Sequence, residues 1–483
     1  MTTDVMENRL WIGGESVSGQ GDEISVVDPF SRVEIARIAG AGELDVERSI
    51  AAADDAFQQK MKRMPRHERA DILYAASEAL QQAHERFAES ITSEAGKPIK
   101  QSRAEVSRAI QLFRFAAEGA MELGGVVLPM DAAKGGEGSL GMAYRVPRGV
   151  VAAITPFNFP LNLAAHKVAP AIAAGNTIVH KPASTTPLTA LALAKLLDGC
   201  GLPKGAYNVI VGPGGRIGEQ LVRDSRVRFV SFTGSLEVGK TIMASAGIKP
   251  VTLELGSNAP NIICDDADWE NASEALAGAA FSYAGQSCIS PQRIYVQWSV
   301  FDTFVPTFVA HAEALKVGDP HDEDTDVGPL IEPSEVSRVH EWVREAVSQG
   351  ADLLCGGKAQ SNVYQPTILG NTSPDMKVVC EEVFGPVVSV EPFDTPEQAV
   401  SMANASRMGL QAGVFTKSLD RALFFARELD TGGVWINAPS LLRYDLYPYG
   451  GVKDSGIGQE GVKYAIEEMT HLKFVGFRQD VER

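Results

Sequence analysis

The sequence predicts an α/β protein, and three observations predict it. From Val150 onward, short β-branched runs alternate with longer stretches of helical periodicity, the pattern of buried parallel strands separated by helices. A second alternation of the same kind runs from Glu254 to about Gly450. At 483 residues the chain exceeds one ordinary domain and has material for two or three buried cores.

Taken in order, residues 9–40 read as short strands joined by turns, with Trp11-Ile12 ahead of Gly13-Gly14 and Ser25-Val26-Val27 ahead of Asp28-Pro29. Residues 43–122 place Ala, Leu, Ile and Phe at three- and four-residue spacings between charges, which predicts amphipathic helices punctuated at Pro65 and Gly96-Lys97-Pro98. Gly124–Arg145 is Gly-rich with apolar alternation at both ends, a hairpin or loop.

The alternation from Val150 predicts strands at 150–154, 177–180, 207–211, 227–232 and 251–253, with helices between them. Such a parallel sheet is of Rossmann type and binds a dinucleotide at its carboxyl ends. The strict GxGxxG fingerprint is missing. Glycine turns at Gly212-Pro213-Gly214-Gly215 and at Gly234-Ser235 are the candidates for meeting a pyrophosphate, although each is also an ordinary strand-to-helix turn. The second alternation predicts strands at 294–296, 364–369, 387–390 and 413–415, with helices near 300–315, 334–349, 396–404 and 419–429.

Composition narrows the function. An apolar fraction of 45% and a charged fraction of 22% are those of a globular protein. A net charge of −17 argues against a nucleic-acid surface and gives no reason to expect an anionic membrane as partner, so an anionic substrate needs local cations. Five cysteines in no paired spacing are neither a disulfide framework nor a zinc site, which predicts no metal and suits a reducing cytoplasm. Met1 to Leu10 is polar and acidic without a signal-peptide core, and the apolar stretch around Val168 to Val179 is broken by Pro170, Gly175 and Asn176.

One stretch stands out. Phe281-Ser282-Tyr283-Ala284-Gly285-Gln286-Ser287-Cys288-Ile289-Ser290 sets a thiol among small residues that leave a substrate room to approach, so Cys288 is a candidate nucleophile. A buried, inert thiol fits the same ten residues. Five other blocks keep it company: Thr155-Pro156-Phe157-Asn158-Phe159-Pro160, His180-Lys181-Pro182-Ala183-Ser184, Phe232 to Gly239, Leu253-Glu254-Leu255-Gly256-Ser257-Asn258 and Glu381-Glu382-Val383-Phe384-Gly385-Pro386. In that order and at those intervals the chain resembles the aldehyde dehydrogenase superfamily over essentially its whole length.

The resemblance implies a Rossmann-like cofactor domain (1–123 and 145–253), an α/β catalytic domain (254–452) and a small β oligomerisation arm (124–144 with 453–483) in a homodimer or homotetramer. It implies that Cys288 attacks the aldehyde, that the Asn158 amide and the Cys288 N–H hold the oxyanion, and that Glu254, set between Leu253 and Leu255, is the base for thioester hydrolysis. For NAD or NADP it implies contacts at Thr155, Pro156, Phe157, Lys181, Ser184, Gly214, Gly234, Ser235, Leu255, Gly256, Glu382 and Phe384. Ser184 stands where NAD-preferring relatives often carry a carboxylate, so a 2′-phosphate is not repelled and dual use or an NADP preference is expected. Ser257 replaces a usual glycine, and the residues alone give no account of it.

Substrate contacts are implied at Arg108, Asn162, His166, Ser287, Ile289 and Arg443. Two guanidiniums suit a carboxylate, sulfonate or phosphonate, so a short aldehyde with an anionic tail is expected, of the sulfolactaldehyde, phosphonoacetaldehyde, glyceraldehyde phosphate or succinic semialdehyde type. Uncharged lactaldehyde, or a general aliphatic aldehyde, is the alternative. Acyl transfer to coenzyme A fits less well, because that branch lacks the glutamate found here at Glu254. A scaffolding protein that lost its chemistry fits poorly with Cys288, Glu254 and Asn158 all present.

Overall fold

Two largely parallel sheets carry the described chain, residues 6–478 of this computed structural model. The first has eight strands in the order Gly456–Ile457, Val251–Glu254, Val227–Thr233, Val150–Ile154, Thr177–Lys181, Tyr207–Val209, Leu10–Ile12 and Glu15–Val17. Its five central strands run parallel, and the strands at both edges are antiparallel to their neighbours. These five are Val-, Ile- and Ala-rich and nearly all buried, as expected where helices cover both faces. The strand order reverses between Val150–Ile154 and Val227–Thr233. In an open α/β sheet, ligands settle outside the carboxyl ends at such a reversal. Thr155 to Asn158 and Gly234-Ser235 follow those two ends.

Helices Glu43–Gln59, Arg66–Gln82, Ile99–Glu122 and Asn162–Ala174 pack around this sheet in one hydrophobic core. Asn162–Ala174 is buried along its whole length, which explains its lack of a polar stripe. The second sheet has seven strands: Asp352–Cys355, Thr367–Gly370, Val387–Phe393, Arg293–Gln297, Pro260–Ile263, Gln411–Phe415 and Gly433–Ile436, all parallel after the first. It builds separate cores, one around Phe281, Phe304, Phe308 and Tyr364 and one around Phe393 and Phe425.

A third, antiparallel sheet joins the hairpin Gly125–Leu128 and Ser139–Pro147 to Thr470–Arg478. Among the described residues of the 453–483 segment expected in this arm, only Thr470–Arg478 lies there. Gly456–Ile457 instead edges the first sheet, and Val462, Ile466 and Met469 around helix Val462–Glu468 enter the first core. The expected strand at 364–369 is interrupted at Pro366, which cannot donate to a ladder. Val363–Tyr364 pairs with Ala359–Gln360, and Thr367–Gly370 joins the main sheet. Residues 1–5 of the polar N-terminus lie outside the described residues, as do 479–483. Among those described, no helix is long and apolar enough to cross a membrane, and no cluster of His, Cys, Asp and Glu could hold a metal.

Candidate active site

Cys288 follows a strained turn. Beyond helix Trp269–Ala280, Tyr283, Ala284 and Gly285 have φ of 49°, 53° and 70°. Left-handed backbone at a non-glycine residue costs on the order of 1–3 kcal/mol and persists only where the surroundings impose it. Here they do: a Cβ on Gly285 would lie 2.2 Å from the Gly385 carbonyl oxygen, so only glycine lets the two loops touch. Gln286 pins the turn, its amide nitrogen donating to the carbonyls of Tyr283 and Pro329 and its oxygen accepting from the Ile331 N–H.

The thiol opens on a cavity of about 650 Å³ shared with Asn158, Asn162, Ser287, Ile289, Arg108, Arg443 and Tyr449. Its Sγ lies 3.2 Å from the Tyr449 hydroxyl. Burial pushes the thiol up to about 12, and the Tyr449 hydrogen bond and the Arg443 charge pull against that rise. Arg443 in turn lies over the Tyr449 ring, with its guanidinium carbon 3.6 Å from the ring centroid.

Asn158 donates from Nδ2 to the Gln286 carbonyl at 2.9 Å, so the Asn158 loop and the cysteine loop are directly bonded. An amide nitrogen carries two protons, so one remains for a further acceptor. Glu254 ends the strand Val251–Glu254 with both carboxylate oxygens buried and without partners. Burial, and then the nearby Glu460 carboxylate, raise it well above the ordinary carboxylate range. An unpaired buried carboxylate is costly, and such exceptions call for a functional reason. Glu254 is not itself among the side chains lining the cavity, whereas its neighbours Leu255 and Gly256 are.

At the far end, charge is built into a chain of contacts. Arg108 donates to Asp445 at 2.7 Å, and His166 Nε2 lies 2.9 Å from the same Asp445 oxygen. Arg443 lies 3.2 Å from His166 Nε2 and donates to Glu460 at 2.8 Å, and Glu460 also pairs with Lys167 at 2.8 Å. Three cations face two carboxylates, which leaves one net positive charge. Burial and then the Arg443 charge lower the His166 imidazole, against the pull of Asp445 and Glu460. The Nε atoms of Arg108 and Arg443 are buried without partners.

The residues expected to hold a dinucleotide lie at two places. Pro156, Phe157, Gly234, Ser235, Leu255, Gly256, Glu382 and Phe384 line the cavity. Glu382 accepts the Ser257 N–H at 3.0 Å, and a Cβ on Gly256 would come within 2.4 Å of its carboxylate. This accounts for Ser257: its backbone makes the contact, so a glycine is needed only at Gly256. Phe384, at φ 48°, meets Phe157 edge-on with centroids 5.8 Å apart. Thr155, Lys181, Ser184 and Gly214 lie outside this cavity. Thr155 bonds His180, and Lys181 donates to the Pro182 carbonyl at 3.1 Å with its stem against Gly214 and Gly218. Ser184 donates to the Gly212 carbonyl. Gly214 begins a short π-helical turn, Gly214–Gly218, and not the plain glycine turn expected.

One expected contact is displaced. His166 is buried below the cavity, one helical turn deeper than Asn162, where it supports Asp445 and Arg443 and lines nothing. Sequence reasoning missed Tyr449, Asp445, Glu460 and Lys167 as members of the site. Only Asp445 and Tyr449 had any signal, lying two and six residues beyond the expected contact Arg443.

The model of the aldehyde dehydrogenase family matches residues 16–475. A 3-sulfolactaldehyde dehydrogenase from Priestia megaterium is 44% identical over 473 residues, 98% of either chain. The crystal structure of aldehyde dehydrogenase 21 from Physcomitrella patens, in complex with the reaction product succinate, superposes with a TM-score of 0.96 at 37% identity, covering 99% of this chain and 100% of that one. A glyceraldehyde-3-phosphate dehydrogenase from Methanocaldococcus jannaschii, complexed with NADP, gives 0.91 at 40% identity, covering 95% and 100%.

Proposed function

The chain belongs to the aldehyde dehydrogenase family, and from that premise we propose that it oxidises a short aldehyde with an anionic tail, Arg108 and Arg443 reading the tail while Cys288 takes the carbonyl. It is an NAD(P)-dependent enzyme that converts an aldehyde to its carboxylic acid. The observation that carries the tail is that two guanidiniums, each with an unpartnered Nε, open on the thiol's cavity in a net positive environment. Sulfolactaldehyde, succinic semialdehyde and glyceraldehyde phosphate share this chemistry. Three of the similar proteins are named for, or hold the product of, such substrates, and others are named lactaldehyde dehydrogenases.

In this reading the Cys288 sulfur bonds to the aldehyde carbon while the Asn158 amide and the Cys288 N–H take up the oxyanion. The thiol proton leaves to solvent, the Tyr449 hydroxyl supports the thiolate, and the raised Glu254 carboxylate, once ionised, takes a proton from the water that hydrolyses the thioester. The dinucleotide, when bound, supplies the two-electron oxidant that turns the Cys288 adduct into a thioester. Glu382, Gly256, Phe384 and the Ser235 end of helix Leu236–Ala246 would hold one end of it, and Lys181 and Ser184 the other. Their donors suit such a group: a helix N-terminus offers free N–H groups to a pyrophosphate, and Lys181 donates to the Pro182 carbonyl one of the three hydrogen bonds an ammonium can make. Ser184 brings no negative charge, so NAD and NADP are both admitted. Water attacks the thioester and releases the acid.

The assembly follows the same reading. Val126, Leu472 and Phe474 leave an apolar face exposed on one side of the arm, with Val127 and Phe477 exposed on the other, and a second copy covers the first in a homodimer or homotetramer. The substrate test is reduced-cofactor formation with matched aldehydes with and without a carboxylate, sulfonate or phosphate, each with NAD and NADP. Tailed members should win in kcat/KM by about tenfold or more, and Arg108→Leu should erase the advantage. Equal rates for uncharged lactaldehyde would overturn the substrate class and leave the thiol chemistry standing.

A further inference from the structure

Lys97 is buried to 1% exposure at the meeting point of three chain segments. Its ammonium pairs with the buried Glu105 carboxylate, lies 3.6 Å from the centroid of Phe159 and 4.7 Å from that of Tyr283. Phe159 is the residue after Asn158, and Tyr283 opens the left-handed turn that delivers Cys288. The two rings also meet each other edge-on, with centroids 6.3 Å apart. Glu105 turns its other oxygen to the N–H groups of Leu161 and Asn162, each at 3.0 Å, which fixes the far end of the Asn158 loop. The Tyr283 hydroxyl donates to the Ala95 carbonyl at 2.7 Å and ties the cysteine turn back to the segment that carries Lys97.

A bare ammonium in such a place is costly, and an apolar side chain would fill the space between two rings more cheaply. What the cation adds is direction. One charge attracts two ring faces and one carboxylate together, and each belongs to a segment that must be held against another. From this we infer that Lys97 is a positioning residue, locking the Asn158 loop to the Cys288 turn so that the amide and the thiol face one carbonyl. The inference rests on the roles given above to Asn158 and Cys288.

The test is a double-mutant cycle. Lys97→Met combined with Glu105→Gln removes the pair without stranding a charge and keeps an amide oxygen for Leu161 and Asn162. In the otherwise native enzyme it should lower kcat about 10- to 100-fold, with the aldehyde KM within about twofold, as expected for misplacement of reacting groups. In an Asn158→Ala background the same change should cost about threefold or less, because the contact it positions is already gone. Lys97→Arg, which retains the cation, should restore most of the rate. Phe159→Leu removes one ring and leaves the ion pair, so it carries the test if the paired variant does not fold. Losses that multiply fully in the Asn158→Ala background, or a fall in Tm with unchanged kcat, would overturn the inference. If Asn158→Ala itself keeps full kcat, the role of Asn158 fails first, and that outcome is read from the single variant alone.

Discussion

At the scale of single residues, the site is a thiol and a carboxylate that burial holds in their protonated forms. Cys288 is pushed up to about 12 and Glu254 well above the carboxylate range, while both work deprotonated. The sign follows: kcat/KM should rise with pH through the neutral and alkaline range and show no acid optimum. Tyr449→Phe removes a hydrogen bond that lowers the thiol, so Cys288 alkylation by iodoacetamide at a fixed neutral pH should slow about fivefold, the worth of one net hydrogen bond. Asn158→Ala should lower kcat about 10² to 10³-fold. For stability, the raised Glu254 contributes most below the ordinary carboxylate value and loses that contribution as pH rises through its folded value. Glu254→Gln should therefore raise Tm, and by more at pH 8 than at pH 5.

At the scale of elements, the loop Pro439 to Tyr449 brings Arg443, Asp445 and Tyr449 against side chains far off in sequence. Arg108 and Asp445 are 337 residues apart, and Lys167 and Glu460 are 293 apart. Periodicity has no reach over such intervals, which is why Glu460 and Lys167 were invisible. The strands were legible because β-branched runs between turn residues are local, and the cysteine turn because its small residues have a steric reason. His166 shows where that legibility stops. It shares a helix face with Asn162, four residues on, and spacing alone cannot tell which of the two meets the cavity and which lies a turn below it. Lys97 and Glu105 were hidden in the same way, since an eight-residue separation says nothing about the two aromatic rings that complete their contact.

At the scale of the molecule, the first sheet's strand reversal and the second core's cysteine turn face each other across one cavity, and the arm stands apart with its apolar face in solvent. Phe474→Glu places a charge in the middle of that face, and it should shift the sedimentation coefficient to that of a monomer while leaving the fold intact. The central claim is that oxidation passes through a covalent bond to Cys288, and it is tested most directly by stalling that bond. Glu254→Gln, mixed with a tailed aldehyde and NAD or NADP, should release about one equivalent of reduced cofactor per active site and then stop, because hydrolysis lacks its base. Mass spectrometry should then find the acyl group on the peptide bearing Cys288. Release of reduced cofactor with no adduct, or an adduct on Cys200, Cys264, Cys355 or Cys380, would contradict the account.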